Sequence, residues 1–429
     1  MVYAQGATYR NQKFDKLQGV TRASVPVISV GNITAGGTGK TPMVRYICQY
    51  LESLNMAPAV LSRGYRAEDN QDTIIVSRCG RLEVTPAVSG DEAWLLGKGL
   101  GHTSVVIGRE RAASAQVATA TLGSDILVLD DGFQHRKLAR DLDIVLIDAA
   151  NPFGYDHVLP RGLLREPLDG LRRADVFVLT KTDQVPADIL FGIKHRLGQL
   201  APNIPIVETI HKPLGMQTLD SWERNEEAQA SLVVSHKFLT VSGIGRPESF
   251  QHTVNSLGYE VIDSLDFGDH HEYTTDDVVK MWCTAFAKGA TAIVTTEKDA
   301  VKLSQMQAVH DLKIPVYVIP IGIEILSKGE EEFKTIPVEA LHFETVSGPG
   351  LFYGTGTFAM QEAGEAIFKA SLYENRNLAA EFKVISGAVK LQDFTVTVPK
   401  VWEIDSWNGL GGYYVGITKG QNTEKNFQS

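Results

Sequence analysis

The chain has 429 residues, a length that indicates about two or three domains. Its hydrophobic content of 43% and charged content of 21% are typical of a soluble globular protein, and its net charge of −10 argues against general nucleic-acid binding. No run of about 18 apolar residues is present, so we predict no membrane-spanning helix. The three cysteines, Cys48, Cys79 and Cys283, have no metal-binding spacing, and we interpret them as reduced thiols of a cytoplasmic protein.

Residues 1–25 form a locally basic arm on this acidic chain. Its charged residues are Arg10, Lys13, Asp15, Lys16 and Arg22. A basic segment is attracted to an anionic membrane surface. The sequence leaves open whether the arm makes this contact or is a solvated tail.

A strand, a glycine-rich loop and a helix are predicted next. Residues 25–31, VPVISVG, are a short β-branched apolar run that ends in glycine, which is typical of a buried parallel strand. After the loop, residues 41–55 carry apolar side chains at helical spacing. This order of elements is the first half of a βαβ unit.

Further short apolar runs predict a doubly wound, mostly parallel α/β sheet. They are residues 57–62, 103–108, 125–130, 143–148 and 175–180. Because helical stretches separate several of these runs, we expect them to form one α/β domain over residues 26–225.

A second, smaller α/β domain is predicted over residues 226–340. A polar segment at residues 221–230 is interpreted as a linker or an exposed helix. Strand-like runs then resume at residues 237–245, 291–300 and 314–325. The remaining residues, 341–429, are an unassigned C-terminal extension, in which the pattern favours a helix at 359–373 and antiparallel strands over 381–404.

The glycine-rich loop predicts a phosphate-binding P-loop. Such a loop needs glycines that let backbone N–H groups turn toward the phosphates, a lysine for the β- and γ-phosphates, and a hydroxyl residue for Mg²⁺. The candidate residues are Thr34, Gly36, Gly37, Thr38, Gly39, Lys40 and Thr41. The match is imperfect, because Thr34 stands where the usual pattern has glycine. The following helix contributes an N-terminal dipole that favours anions, so we predict a P-loop NTPase-like domain rather than a plain turn.

Two acids that follow an apolar strand are the predicted Mg²⁺ partners. Asp130 and Asp131 end the run at residues 125–130, where P-loop enzymes place a metal-linked carboxylate. Asp143 and Asp148 flank another strand and are interpreted as structural. Residues 180–183, TKTD, are similar to the base-reading motif of GTPases but lack its asparagine, which argues against guanine specificity.

A series of motifs resembles the tetraacyldisaccharide 4'-kinases over roughly residues 9–335. The matching strings are VPVISVGNITAGGTGKTP (25–42), LSRGYR (61–66), SGDEAWLL (89–96), LDDGFQHRKLARDLDIVLID (129–148), LPRGLLREP (159–167), GIGRPESF (243–250), DFGDHHEY (266–273) and TTEKDAVKL (295–303). The resemblance implies transfer of the γ-phosphate of ATP to the 4'-hydroxyl of an acylated glucosamine disaccharide 1-phosphate, a step of lipid A biosynthesis that yields lipid IVA. It also implies a protein peripheral on the cytoplasmic face of the bacterial inner membrane, without an obligate protein partner.

The resemblance assigns roles to residues motif by motif. Glu166 matches a further acid near the metal, and His135 matches the histidine of the GFQH string and is a candidate for contact with the substrate. Asp91 and His270 match an Asp–His pair that activates the sugar hydroxyl. A neutral histidine can accept the hydroxyl proton, and a carboxylate on its other nitrogen fixes the tautomer.

Four arginines are candidates for the substrate's 1-phosphate, since the planar guanidinium fits phosphate. They are Arg63, Arg66, Arg161 and Arg165. The sequence departs from the family in two places: it does not open with the hydrophobic N-terminal helix, and residues after about 340 match nothing in the family. The alternative function is a P-loop ATPase or GTPase that acts as a conformational switch or chaperone-like factor, which would have no use for the Asp91–His270 pair.

Overall fold

The computed structural model describes residues 18–64, 73–226, 236–269 and 271–326, with isolated positions at 6, 11, 13–16 and 333, and the backbone of strands between residues 350 and 427. The chain divides into two compact units, Met1–Glu330 and Glu331–Ser429. No helix within these described residues has the length and apolar character needed to cross a bilayer.

The first unit contains fifteen strands among its described residues. In chain order they are β1 (Val27–Asn32), β2 (Pro58–Ser62), β3 (Thr73–Arg78), β4 (Arg81–Leu82), β5 (Ser104–Gly108), β6 (Ile126–Asp130), β7 (Leu142–Asp148), β8 (Val176–Thr180), β9 (Ile206–Pro213), β10 (Gln217–Thr218), β11 (Lys237–Ser242), β12 (Glu260–Asp266), β13 (Ala292–Thr296), β14 (Val316–Ile319) and β15 (Ile321–Ile325).

The same residues contain ten α-helices and three short 3₁₀ turns. The helices are α1 (Lys40–Ser53), α2 (Pro86–Ser89), α3 (Asp91–Lys98), α4 (Arg111–Ala120), α5 (Ala187–Leu200), α6 (Leu219–Glu223), α7 (Pro247–Ser256), α8 (Thr275–Lys288), α9 (Glu297–Leu303) and α10 (Gln307–His310). The 3₁₀ turns are Gly154–Asp156, Leu168–Arg173 and Thr182–Gln184.

Ten strands form one large sheet in the order β15-β9-β8-β7-β1-β6-β2-β5-β3-β4. The seven strands from β9 to β5 are parallel, and the antiparallel strands β15, β3 and β4 close the two edges. Strands β1, β6, β7 and β8 are buried along their whole length, as their mostly apolar sequences predict. The prediction of a doubly wound, mostly parallel α/β sheet is confirmed.

The other five strands form a smaller sheet in the order β10-β14-β13-β11-β12, parallel except for β10. Two strands lie across the boundaries expected from the sequence. Strand β10 precedes residue 225 but joins the smaller sheet, whereas β15 follows the smaller sheet and pairs with β9 of the larger one. The chain therefore crosses between the sheets twice, and the limits 26–225 and 226–340 stay predictions.

Helix α3 of the large sheet packs against the small sheet. Leu95 is part of the same buried cluster as Trp222 and Val241. The guanidinium of Arg45 on α1 donates to both carboxylate oxygens of Glu297 on α9, at 3.1 and 3.0 Å. Apolar packing and a half-buried ion pair thus join the two sheets into one unit.

The second unit is described as strands alone. They are β16 (Gly350–Tyr353), β17 (Thr357–Met360), β18 (Gly364–Ala370), β19 (Ala380–Gly387), β20 (Lys390–Leu391), β21 (Phe394–Thr397), β22 (Trp402–Gly409), β23 (Gly412–Lys419) and β24 (Glu424–Phe427). Antiparallel pairing over 381–404 agrees with the sequence. The helix expected at residues 359–373 is wrong, because β18 pairs along its whole length with β19, and Gly364 lowers the helical propensity of this stretch.

Candidate functional site

The candidate site lies at the carboxyl edge of the large sheet, beyond the end of β1. Strand β1 lies between β6 and β7, so the connections on its two sides run in opposite directions. Open α/β sheets bind ligands in the crevice that such a switch point creates. The glycine-rich loop leaves β1 here and leads into α1.

Two glycines in this loop need the backbone freedom that the sequence analysis assigned to them. Gly36 and Gly39 have φ angles of 118° and 88°, a region that favours glycine. A Cβ on Gly39 would lie 2.4 Å from the Nε2 atom of His211 on β9. Gly39 is therefore required by its dihedral angles and by a neighbouring side chain.

Lys40 begins α1 and points into the crevice. Its Nζ lies 3.5 Å from Oδ1 of Asp131 and 3.4 Å from Oδ1 of Asn32. Asn32 is itself buried and donates to the carbonyl of Thr34 at 2.7 Å. The predicted lysine and one predicted metal-site acid are thus brought together.

The other P-loop candidates occupy different environments. Thr34 is buried and forms an isolated antiparallel β-bridge with Leu164. The N–H of Ala35 donates to the carbonyl of Leu163 at 2.7 Å. Because the backbone pairs with residues 163–164 here, position 34 does not need glycine. Thr38 is also buried, Gly36 and Gly37 are exposed, and Thr41 is half-buried in the first turn of α1.

Asp130, the last residue of β6, is a buried acid in a crowd of negative charge. Ser62 donates to its Oδ2 at 2.8 Å. Burial, together with the charges of Asp131 and Glu92, raises the pKa of Asp130 to about 6 against the opposing effects of Lys40 and the Ser62 hydrogen bond. A carboxylate in this situation is suited to receive a cation.

Asp131 follows in a left-handed conformation, with φ of 53°. The Nη1 atom of Arg165 lies 2.7 Å from each of its carboxylate oxygens. Burial raises the pKa of Asp131, but the charges of Lys40 and Arg165 outweigh burial and hold the pKa below its usual range. Arg165, predicted to bind substrate, is therefore an ion-pair partner of Asp131, a predicted metal-site acid.

Glu166 is fully buried and its carboxylate is already bound by protein groups. Arg173 donates to both of its oxygens at 2.8 Å, Gln134 donates to one at 3.1 Å, and Asn11 donates to the other at 2.7 Å. These contacts make Glu166 an anchor for the N-terminal segment and the loop after β6. Its role as a metal ligand stays a prediction.

A basic group lies beside the two acids. Arg111, at the start of α4, is 3% exposed, and within the described part of the chain its Nε atom has no hydrogen-bond partner. Burial, with the positive charges of Arg111 and Arg140, lowers the pKa of His135 to about 4.

Of the arginines predicted to bind substrate, Arg63 and Arg161 are exposed, and Arg66 lies outside the described residues. Sequence reasoning missed Arg111, which carries no motif of its own.

Asp91 begins α3 and faces the smaller sheet. The Nζ of Lys302, on α9, lies 3.3 Å from Oδ2 of Asp91 and donates to the backbone carbonyl of His271 at 2.7 Å. His270 lies outside the described residues. The neighbouring His271 stacks on Phe267, with ring centroids 4.6 Å apart, and its Nε2 lies 3.0 Å from Asp277. Lys302, which sequence reasoning also missed, thus connects Asp91 to the residue that follows His270.

Known proteins are similar to this chain over most of its length. The family model of tetraacyldisaccharide-1-P 4'-kinases, LpxK, matches residues 1–338. The chain is 36% identical over 348 residues to the tetraacyldisaccharide 4'-kinase of Syntrophus aciditrophicus, covering 80% of this chain and 91% of that protein. It is 42% identical over 310 residues to the tetraacyldisaccharide 4'-kinase of Anaeromyxobacter sp. strain Fw109-5, covering 72% and 81%.

A solved structure is similar as well. It is LpxK from Aquifex aeolicus, described as an "apo" form in complex with ATP. The match has a TM-score of 0.62 and 29% sequence identity, and it covers 80% of this chain and 96% of that one.

Proposed function

The chain belongs to the tetraacyldisaccharide-1-P 4'-kinase family, and we propose that it carries out the family's reaction at the site around Lys40 and Asp131. Its activity is that of a lipid A 4'-kinase, an ATP-binding transferase. The observation that carries the site assignment is the P-loop lysine, 3.5 Å from an acid at the switch point of the sheet. Family membership does not favour the alternative, a conformational switch.

ATP binds with its phosphates against the P-loop. The backbone N–H groups of the glycine-rich turn and the dipole of α1 favour phosphate. Lys40 places its charge on the β- and γ-phosphates, and the ion pair with Asp131 holds it in the crevice beforehand. A preorganised charge needs no rearrangement when charge shifts in the transition state.

The donor set fits Mg²⁺. Thr41 offers a hydroxyl and Asp130 and Asp131 offer carboxylates, which are hard oxygen ligands of the kind that Mg²⁺ prefers. Burial and the neighbouring charges of Asp131 and Glu92 raise the pKa of Asp130, and a bound cation would offset both effects. When bound, the ion neutralises charge on the transferring phosphoryl group.

The acceptor hydroxyl is activated by Asp91 and His270. The imidazole takes the proton of the 4'-hydroxyl as its oxygen attacks the γ-phosphorus, and ADP leaves. Asp91 orients the imidazole and stabilises the imidazolium that forms. The support for this pairing is Lys302, whose Nζ contacts both Asp91 and the carbonyl of the residue after His270.

The anionic 1-phosphate of the substrate binds the basic side chains near Asp130 and Asp131. Arg63 is exposed at the end of β2, and the buried Arg111 has an Nε–H that no described group accepts. Arg165 is committed to Asp131, which makes it a weaker candidate. Arg66, Arg161 and His135 complete the set named from the sequence.

The enzyme works as a peripheral protein on the cytoplasmic face of the inner membrane. In the basic arm, Lys13 and Lys16 are exposed, whereas Arg22 pairs with Asp141 at 3.0 Å. Replacing either lysine with alanine should weaken binding to anionic vesicles about fivefold, since each basic residue near the surface is worth about 1 kcal/mol. Vesicle co-sedimentation measures this; equal binding of wild type to anionic and neutral vesicles would argue against the contact.

Transfer of labelled γ-phosphate tests the proposed function. The full chain is incubated with γ-labelled ATP, Mg²⁺ and tetraacyldisaccharide 1-phosphate in detergent micelles. We expect label in the lipid, and only background label as free phosphate. Release of free phosphate at the same rate with and without the lipid would contradict the proposal and favour a switch-like ATPase.

A further inference from the structure

The P-loop is held from behind by polar side chains that the reaction scheme does not use. A phosphate cradle needs backbone carbonyls that point away from the ligand, so that the N–H groups point toward it. Two carbonyls of this loop have partners on that outer side. Lys181 Nζ donates to the carbonyl of Gly37 at 2.9 Å, and Thr180 Oγ1 donates to the carbonyl of Thr38 at 3.0 Å.

Both donors are buried, and both lie at the carboxyl end of β8. Thr180 ends β8 and is fully buried, and Lys181 is 9% exposed. Asp148, at the end of β7, lies 2.7 Å from Lys181 Nζ and is itself buried. Removing either residue of this buried ion pair would leave the charge of the other uncompensated. Asp148 therefore holds the ammonium group of Lys181 in its position.

A third strand supplies the last contact. His211 on β9 lies behind Gly39, where its ring fills the space that a Cβ would need. Its Nε2 is buried, and no described group hydrogen-bonds to it. Groups at the end of β8 and on β9 thus lie against three successive residues of the loop, 37, 38 and 39, and Asp148 at the end of β7 supports them through Lys181.

We propose that Thr180, Lys181 and Asp148 are positioning residues that set the P-loop backbone for the phosphates of ATP. Lys181 and Thr180 belong to the segment TKTD that is similar to a base-reading motif, and the contacts instead direct its lysine to the loop. The inference rests on the proposed role of the P-loop. It places nucleotide affinity partly in residues that touch no nucleotide.

The test uses steady-state kinetics on the full chain with matched variants. Thr180→Val removes the hydroxyl at constant shape and should raise KM for ATP about tenfold, because a buried carbonyl loses its donor. Thr180→Ser keeps the hydroxyl and should restore KM to within about twofold of wild type. Lys181→Met should raise KM for ATP at least as much as Thr180→Val, with KM for the lipid unchanged.

The controls separate positioning from other roles. Lys212→Met, on the same strand as His211 but exposed, should leave KM for ATP unchanged. A fall in kcat with both KM values unchanged would reflect lost folded enzyme and overturn the proposal, as would a changed preference for ATP over GTP, which would assign the segment to the base. If Thr180→Val is silent while Lys40→Ala abolishes transfer, this inference fails and the proposed function stands; if both are silent, the P-loop assignment itself fails.

Discussion

The two halves of the site are held together in different ways. The predicted phosphate half, from Gly36 to Thr41, is contacted by groups of the large sheet. Thr180 and Lys181 at the end of β8 contact the loop, and Asn32 and Asp131 at the ends of β1 and β6 contact Lys40. In the acceptor half, Asp91 begins α3, which lies on the large sheet, whereas its ion-pair partner Lys302 lies on α9, next to the small sheet. Under the proposed mechanism, nucleotide binding therefore depends on one sheet, whereas acceptor chemistry depends on how the two sheets meet.

The contrast also predicts a gating role for the acceptor half. If chemistry requires contact between the two sheets, it waits on that contact, which also excludes water from the γ-phosphate. Ion pairs such as Arg45–Glu297 hold the sheets together in the structure described.

The largest effect is expected in the phosphate half. Lys40→Ala should lower turnover by at least about two orders of magnitude, because it removes a preorganised charge from the transferring phosphoryl group. Phosphate transfer to the lipid measures this, with circular dichroism as the check on folding. Turnover near that of wild type in a folded variant would remove Lys40 from the site.

In the acceptor half, the members of the pair should act as a unit. Asp91→Ala and His270→Ala should each lower kcat about a hundredfold, the size of a general-base contribution. The double variant should lose little more than the worse single variant. Asp276→Asn, an exposed acid in α8, serves as the control. Fully multiplicative losses would show that Asp91 and His270 work independently.

The ionised form of Asp130 should make the fold less stable at neutral pH. Its folded-state pKa of about 6 lies above the unfolded value of about 4, so the folded state holds the proton more tightly. The free energy of unfolding therefore falls as pH rises from about 4 to 6 and stays low above that. Without Mg²⁺, Asp130→Asn should raise it by on the order of 2 kcal/mol at pH 7.5 and by less at pH 4.5. Urea denaturation that gives equal changes at both pH values would contradict this account.

The smallest effect is expected at the contact between the sheets. Lys302→Met removes the charge that lies beside Asp91 and the His271 carbonyl, and it should lower kcat about tenfold, as for a lost charged hydrogen bond. Lys288→Met, whose ion pair with Asp263 lies within the small sheet, is the matched control. If both variants behave alike, the contact between the sheets has no special role.

The sequence predicted the central strands and the phosphate half well, because their signals are local. Strands β1, β6 and β7 are short, mostly apolar runs that are fully buried, and Lys40 follows the glycines directly. Strands β3 and β12 were missed, since they lie toward sheet edges where half-exposed positions dilute the apolar pattern. Edge strands carry a weaker hydrophobic signal for this reason.

What the sequence could not show depends on long-range contacts. Lys302 and Arg111 carry no motif, and their positions follow from which strands become neighbours. Glu166 was assigned to the metal by resemblance, whereas its oxygens are bound by Arg173, Gln134 and Asn11. Strand β15 was expected in the small domain, yet it pairs with β9, because antiparallel pairing completes the edge of the large sheet.

The division of the site into two halves is tested most directly by comparing ATP affinity with turnover in one acceptor-half variant. Isothermal titration of Asp91→Asn with ATP and Mg²⁺ should give a Kd within about twofold of wild type, although its kcat falls about a hundredfold. That result would show that the phosphate half is complete without the acceptor half. A Kd that rises in parallel with the loss of turnover would show that Asp91 binds nucleotide or metal, and the division of the site into two halves would be wrong.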